Sequence, residues 1–317
     1  CRVALVRDRA RNAASVHRIA SACADALGVD ARQLDGRIRY VEHHAAHLAS
    51  TYFASPFDHA AVCAIDGFGD FVSTSWAVGR GTRLDITRRE FFPHSLGLVY
   101  LAVTQYLGFP NFGDEFKVMG LAPYGAPDYT DRLRQLCHVS DDGTIRLDLE
   151  YFTHWNGGMT MTWEDGIPTV GRVFTQKLEA LLGPARQPDQ PLEARHEAIA
   201  ASLQQVHEEA VATVLRALHA RTGESRLCLA GGCAMNSVAN GKIRTATPFT
   251  DIYVQPASGD NGTALGAALW VWHEQPGRPR LHMSHGYWGP AFDDRAIETA
   301  LSARASDLEA AGCSRRR

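Results

Sequence analysis

Ala60-Ala61-Val62-Cys63-Ala64-Ile65-Asp66-Gly67-Phe68-Gly69-Asp70 is the stretch on which the fold turns. Six apolar residues in a row, with no polar alternation, predict a strand covered on both faces. The acid and two glycines that follow predict a strand end opening into a tight turn, where open α/β sheets place ligand groups. Taken alone, Asp66 to Asp70 is better read as an ordinary hairpin turn built from Asp and Gly. Phe71 to Val78 reads as the return strand and Leu84 to Phe91 as another.

Working outward, residues 13–27 have apolar positions at helical spacing and stop at Gly28. Ile38-Arg39-Tyr40-Val41 reads as a short strand, followed by a helix from His43 to Tyr52, and Leu96 to Leu107 is helical. The stretch of about 128–170 is irregular, rich in Trp, Gly and Asp, and reads as an insertion. A long helix from Pro191 to Leu218 precedes a buried strand, Arg226 to Ala230, that ends in Gly231-Gly232. Ile252-Tyr253-Val254 is a further strand, and Thr263 to Trp270 a helix after Gly259-Asp260-Asn261-Gly262. This alternation is that of α/β proteins. The chain begins without methionine and stops in a polar tail, Gly312-Cys313-Ser314-Arg315-Arg316-Arg317, with no helix signal. It reads as cut at both ends.

The 317 residues are 45% apolar and 21% charged, which is globular composition with length enough for two lobes. A net charge of -3 supplies no broad basic field for a nucleic-acid backbone, so such a partner is not expected. No apolar run reaches the ~20 residues of a membrane helix. The seven cysteines are scattered without a C-x-x-C pair and read as reduced thiols of a cytoplasmic protein.

Five segments could carry chemistry. In Glu42-His43-His44-Ala45-Ala46-His47, the first and third histidines share a helix face and could bind one metal ion; His44 points elsewhere. Exposed or capping histidines are the plainer reading. Gly67 and Gly69 would let backbone amides approach phosphate, with Asp70 beside them. Gly231-Gly232, leading to Asn236, has the strand–turn–helix form of a nucleotide cradle, and close packing at a glycine pair explains it equally. Asp260 is a metal ligand or a helix cap. Glu115 and Lys117 lie in Gly113-Asp114-Glu115-Phe116-Lys117-Val118-Met119-Gly120, and Lys117 is one of only three lysines.

Read together, these segments resemble the O-carbamoyltransferase family of nodulation and antibiotic-biosynthesis proteins. The resemblance rests on Val41 to His47, Ser55-Pro56-Phe57, Asp66 to Gly69, Ser95 to Tyr100, Phe116 to Gly125, Gly231 to Asn236, Gly259 to Ala268 and Gly289 to Phe292. It implies an actin-like ATPase (ASKHA) fold of two lobes, mixed sheets flanked by helices, similar to the tRNA threonylcarbamoyladenosine transferase. The lobes would be residues 1–205, with the insertion, and 206–300, with 301–317 as a tail. It implies transfer of a carbamoyl group from carbamoyl-adenylate to a hydroxyl of a small natural product or sugar. The donor is made from carbamoyl phosphate and ATP by an adenylate-forming domain that this chain would lack. It further implies a divalent metal, Fe2+ favoured over Mg2+, Mn2+ or Zn2+, held by His43, His47, Asp66 and Asp260. ATP or the adenylate would lie at Gly67, Gly69, Asp70, Glu115, Gly231, Gly232 and Asn236. His44 and Lys117 would act in catalysis, His44 as proton acceptor. Asp70 stands where the family usually has Glu. Two other readings compete: a tRNA-modifying transferase, and a non-catalytic nucleotide- and metal-binding fragment.

Overall fold

The computed structural model describes residues 19–34, 36–157, 161–164 and 167–314. Helices α1 (Ile19–Leu27) and α2 (His43–Tyr52) lead into a meander of β1 (His59–Gly69), β2 (Val72–Arg80) and β3 (Arg83–Phe91). Helices α3 (Leu96–Tyr106) and α4 (Glu115–Leu121) follow. Two small hairpins come next, β4 (Cys137–Val139) with β5 (Ile145–Leu147) and β6 (Met161–Glu164) with β7 (Ile167–Val170). The chain continues through α5 (Gln176–Leu182), the long α6 (Ala194–Thr222), β8 (Arg226–Ala230), α7 (Ser237–Ala246), β9 (Asp251–Val254) and α8 (Thr263–His273). Helices α9 (Asp294–Ala303) and α10 (Ala305–Ala310) close the described chain. One compact unit runs to His282 and a second, short one starts at Met283.

The main sheet has the order β3-β2-β1-β8-β9. β1, β2 and β3 run antiparallel, whereas β8 and β9 run parallel to β1. β1 is therefore central, and Ala60 to Ile65 are at most 1% exposed. Ala61, Cys63 and Ile65 join a large apolar cluster with Leu98 and Val99 of α3 and Leu203 and Val214 of α6. That leaves the opposite face for α2, which packs on β1, β2 and β8 and is itself covered by α8. A strand covered on both faces has no solvent side to mark with polar residues, which is why its sequence runs apolar without a break.

Adjacent parallel strands end at the same edge, so the turns after β1, β8 and β9 gather there. Gly231 (φ +90) closes this edge: a Cβ would fall 2.3 Å from the carbonyl oxygen of Ile65. Gly97 is similarly constrained, since a Cβ would fall 2.8 Å from the Asp66 carbonyl. Only glycine allows these backbones to meet.

Three expectations need correction. Ile38 to Val41 form no strand: they lie outside the β3-β2-β1-β8-β9 sheet and run directly into Glu42, the cap of α2. The C-terminal stretch is helical up to Ala310: the Asp293 carboxylate caps α9 by accepting the Ala296 N–H, and Ile297 and Leu301 repeat at helical spacing. The irregular stretch of about 128–170 contains the two small hairpins. Of the helix expected over residues 13–27, 13–18 lie outside the described residues, and α1 accounts for the rest.

Candidate metal centre

His43 begins α2 because Glu42 caps it: the Glu42 carboxylate accepts the N–H groups of His44 and Ala45. His43 and His47, one turn apart, bring their Nε2 atoms to 3.0 Å. Asp66, in the bulged end of β1, sets Oδ2 at 3.1 Å from His43 Nε2 and 3.7 Å from His47 Nε2. Asp260, in the turn after β9, places Oδ1 at 3.5 Å from both imidazoles. One ligand atom from each of the four residues lies within 4.8 Å of all the others.

The second oxygen of Asp66, Oδ1, accepts the Gly232 N–H at 2.8 Å, tying the end of β1 to the turn after β8. The Asp66 carbonyl accepts the Ser95 hydroxyl, which also caps α3. Burial works against charge on Asp66, but hydrogen bonds with His43 and His47, and then Gly232, outweigh it and hold the carboxyl well below the usual range. Burial also opposes charge on His47; hydrogen bonds to Asp260 and Asp66 overcome it and push the imidazole up to about 9.

Two imidazoles and two carboxylates are the donor set of a borderline divalent metal. Metal bonds of about 2.0–2.2 Å put neighbouring donors roughly 3 Å apart or a little more, and the spacings here, 3.0 to 3.7 Å, match. Asp260 is the solvent-facing member, its side chain 65% exposed, so the cluster opens on that side. The residues therefore fit a divalent metal.

The remaining expected site residues fall into three groups. Gly67 faces open space, with nothing within 4 Å of a built Cβ, as a ligand surface requires. Gly69 instead makes room for His43, whose ring a Cβ would meet at 2.0 Å. The amides of Gly231 and Gly232 are already engaged, by the Ser258 carbonyl and by Asp66, so this turn offers them to no phosphate. Asn236 is buried; its amide pairs both ways with Gln204, and its oxygen caps α7 at Ala239. Nothing in the spacing around Gln204 had singled it out. A cavity of about 410 Å³ adjoins this pair, lined by Met119, Pro123, Gln204, Glu208, Val238 and Lys242 among others.

Asp70 gives its carboxylate to the backbone N–H of His43 at 2.9 Å. His44 is a correction. Its ring is fully buried, with Nε2 on the Val72 carbonyl at 2.9 Å, and burial drives its pKa down to about 4. A ring so enclosed meets no substrate hydroxyl, so it is a strut between α2 and β2. Lys117, on α4, is paired with Asp114 at 2.7 Å and remains partly exposed. Burial raises the pKa of Glu115, whose charge is felt at Tyr100 and at Cys233 beside the Gly232 turn.

Residues 14–269 match the family described as carbamoyltransferase N-terminus. The chain belongs to the carbamoyltransferase family. Nodulation protein NolO of Bradyrhizobium diazoefficiens is 39% identical over 275 residues, 85% of this chain and 45% of that protein. Nodulation protein NolNO of Sinorhizobium fredii is 38% identical over 282 residues, 87% of this chain and 38% of its own length. An uncharacterized protein of Synechocystis sp. is 43% identical over 82% of this chain and 41% of that protein. The chain thus spans less than half the length of these relatives. Among solved structures, T. kodakarensis HypF aligns over 80% of this chain and 38% of its own, at 17% identity and a TM-score of 0.37.

Proposed function

We propose that this carbamoyltransferase moves a carbamoyl group from carbamoyl-adenylate to a hydroxyl of a small natural product or sugar. The observation that carries the reading is the cluster of His43, His47, Asp66 and Asp260 at the shared edge of β1, β8 and β9, in a chain of this family. The fold is taken as actin-like, with the hairpin-bearing insertion selecting the acceptor. The expected lobe boundary at 205/206 is not kept, because it falls inside α6 and β1–β3 share one sheet with β8 and β9. The setting is cytosolic, in keeping with free thiols at Cys63, Cys137 and Cys228.

His43, His47, Asp66 and Asp260 would hold a divalent ion, Fe2+ by preference, which when bound supplies Lewis-acid polarisation and charge screening. The chain's own residues do the rest. Gly67 leaves open space for the adenylate phosphate, and the cavity between Met119 and Lys242 takes the adenosine, with Asn236 setting its wall through Gln204. Lys117, steadied by Asp114, offers positive charge to the leaving phosphate. The acceptor hydroxyl oxygen bonds to the carbamoyl carbon, the bond from that carbon to the phosphate oxygen breaks, and AMP departs with the electron pair while its phosphate takes up the hydroxyl's proton.

The test is transfer from supplied carbamoyl-adenylate to a pool of polyhydroxylated acceptors, following AMP release and carbamoylated product. Metal-dependent product that falls in His47→Ala and in Lys117→Ala supports the reading. Binding of the adenylate with product formed equally well in the presence of a chelator would overturn it.

A further inference from the structure

Three neighbours in the β1–β2 turn touch the first two residues of α2. Asp70 accepts the His43 backbone N–H at 2.9 Å. The Cα of Gly69 lies against the His43 ring, where a Cβ would fall 2.0 Å from ring carbons. The Val72 carbonyl receives the His44 ring at 2.9 Å. We propose that Asp70 is a positioning residue of the metal centre, holding the start of α2 so that the His43 ring points into the four-ligand cluster. The inference rests on the metal reading above and extends it to a residue that donates no ligand atom.

Ordinary helix capping does not account for Asp70. Glu42 already caps α2, at the amides of His44 and Ala45, and Asp70 takes the one amide that belongs to the ligand itself. Asp70 (φ +49) and Phe71 (φ +66) are the two central residues of the β1–β2 hairpin, closed by the Gly69–Val72 pair, and a two-residue turn of this kind takes positive φ at both. That turn presents the Asp70 carboxylate to the His43 N–H. Losing a group that orients a metal ligand typically weakens metal binding about 10–100-fold.

The test compares Asp70→Gly with Asp70→Asn. Glycine adopts φ +49 without strain, so the turn survives while the acceptor is lost; asparagine keeps an acceptor oxygen and tolerates the same backbone. Titration of each protein with Co2+, read by its visible absorption, should show about tenfold or greater weakening in Asp70→Gly and recovery to within about threefold in Asp70→Asn. Amide hydrogen exchange at His43, measured without metal, should quicken in Asp70→Gly alone. If the parent protein binds no Co2+, the metal reading fails, and the exchange arm still decides whether Asp70 holds His43. Unchanged affinity together with unchanged His43 protection in Asp70→Gly would overturn the proposal.

Discussion

Asp66 is 7% exposed and nonetheless charged, because each of its oxygens has a partner: Oδ2 the imidazoles, Oδ1 the Gly232 amide. Asp66→Asn keeps the shape and removes the charge. It should weaken divalent-metal binding by more than the roughly 10–100-fold that loss of a supporting partner costs, as read by elemental analysis and titration. His44→Ala should leave metal bound, since the His44 ring reaches Val72 and not the cluster; equal loss in both variants would contradict the assignment. His207 offers a different test. It is 3% exposed, has no hydrogen-bond partner on either ring nitrogen among the described residues, and lies edge-on to Tyr100 with ring centroids 5.1 Å apart. Burial drives its pKa down to about 4, from 6.5. Between those values the unfolded chain binds the proton and the folded one does not. Stability from this site is therefore complete above pH 6.5 and falls as pH drops toward 4, by about 3 kcal/mol. His207→Leu should remove that share of the acid loss in urea unfolding at pH 7 and pH 4.5. An unchanged difference between the two pH values would show that His207 is not its source.

At the scale of elements, α2 is placed by backbone contact as much as by side chains. Gly266 of α8 lies so close that a Cβ would stand 1.8 Å from the Ala46 carbonyl oxygen, an atom that cannot move aside. Gly266→Ala should destabilise the protein by about 1–3 kcal/mol and loosen metal binding with it. Gly241, inside α7 with nothing within 4 Å of a built Cβ, is the matched control. Gly241→Ala should stabilise by about 0.5–1 kcal/mol, both read by urea unfolding. The contrast between neighbourhoods explains what was legible in the sequence. The β1 run and the His43–His47 spacing were readable because each depends on a local period, of strand or helix. The roles of Asp70 and His44 were not, because their partners lie across the sheet, 27 and 28 residues away in the chain. The amides of Gly231 and Gly232 read as phosphate donors from local geometry, and only the approach of Ser258 and Asp66 shows them engaged. Ile38 to Val41 failed as a strand for the same reason, since a strand needs a neighbour that no local pattern supplies.

At the scale of the whole molecule, turns after strands far apart in sequence gather at one edge of the sheet, where those after β1 and β9 meet α2. Placing β1, β8 and β9 side by side and parallel is what brings Asp66 and Asp260 to the two histidines, 166 residues from Asp66 to Gly232 notwithstanding. The proposed metal centre and its part in carbamoyl transfer stand or fall on what this edge binds. The most direct measurement is anomalous diffraction at the metal edge from crystals grown with Fe2+ or Mn2+ and a non-hydrolysable ATP analogue. The expected result is one metal peak about 2.0–2.2 Å from His43 Nε2, His47 Nε2 and an oxygen of each of Asp66 and Asp260, with the nucleotide's phosphates over Gly67. A metal peak elsewhere, or an empty cluster with the nucleotide bound away from this edge, would contradict it.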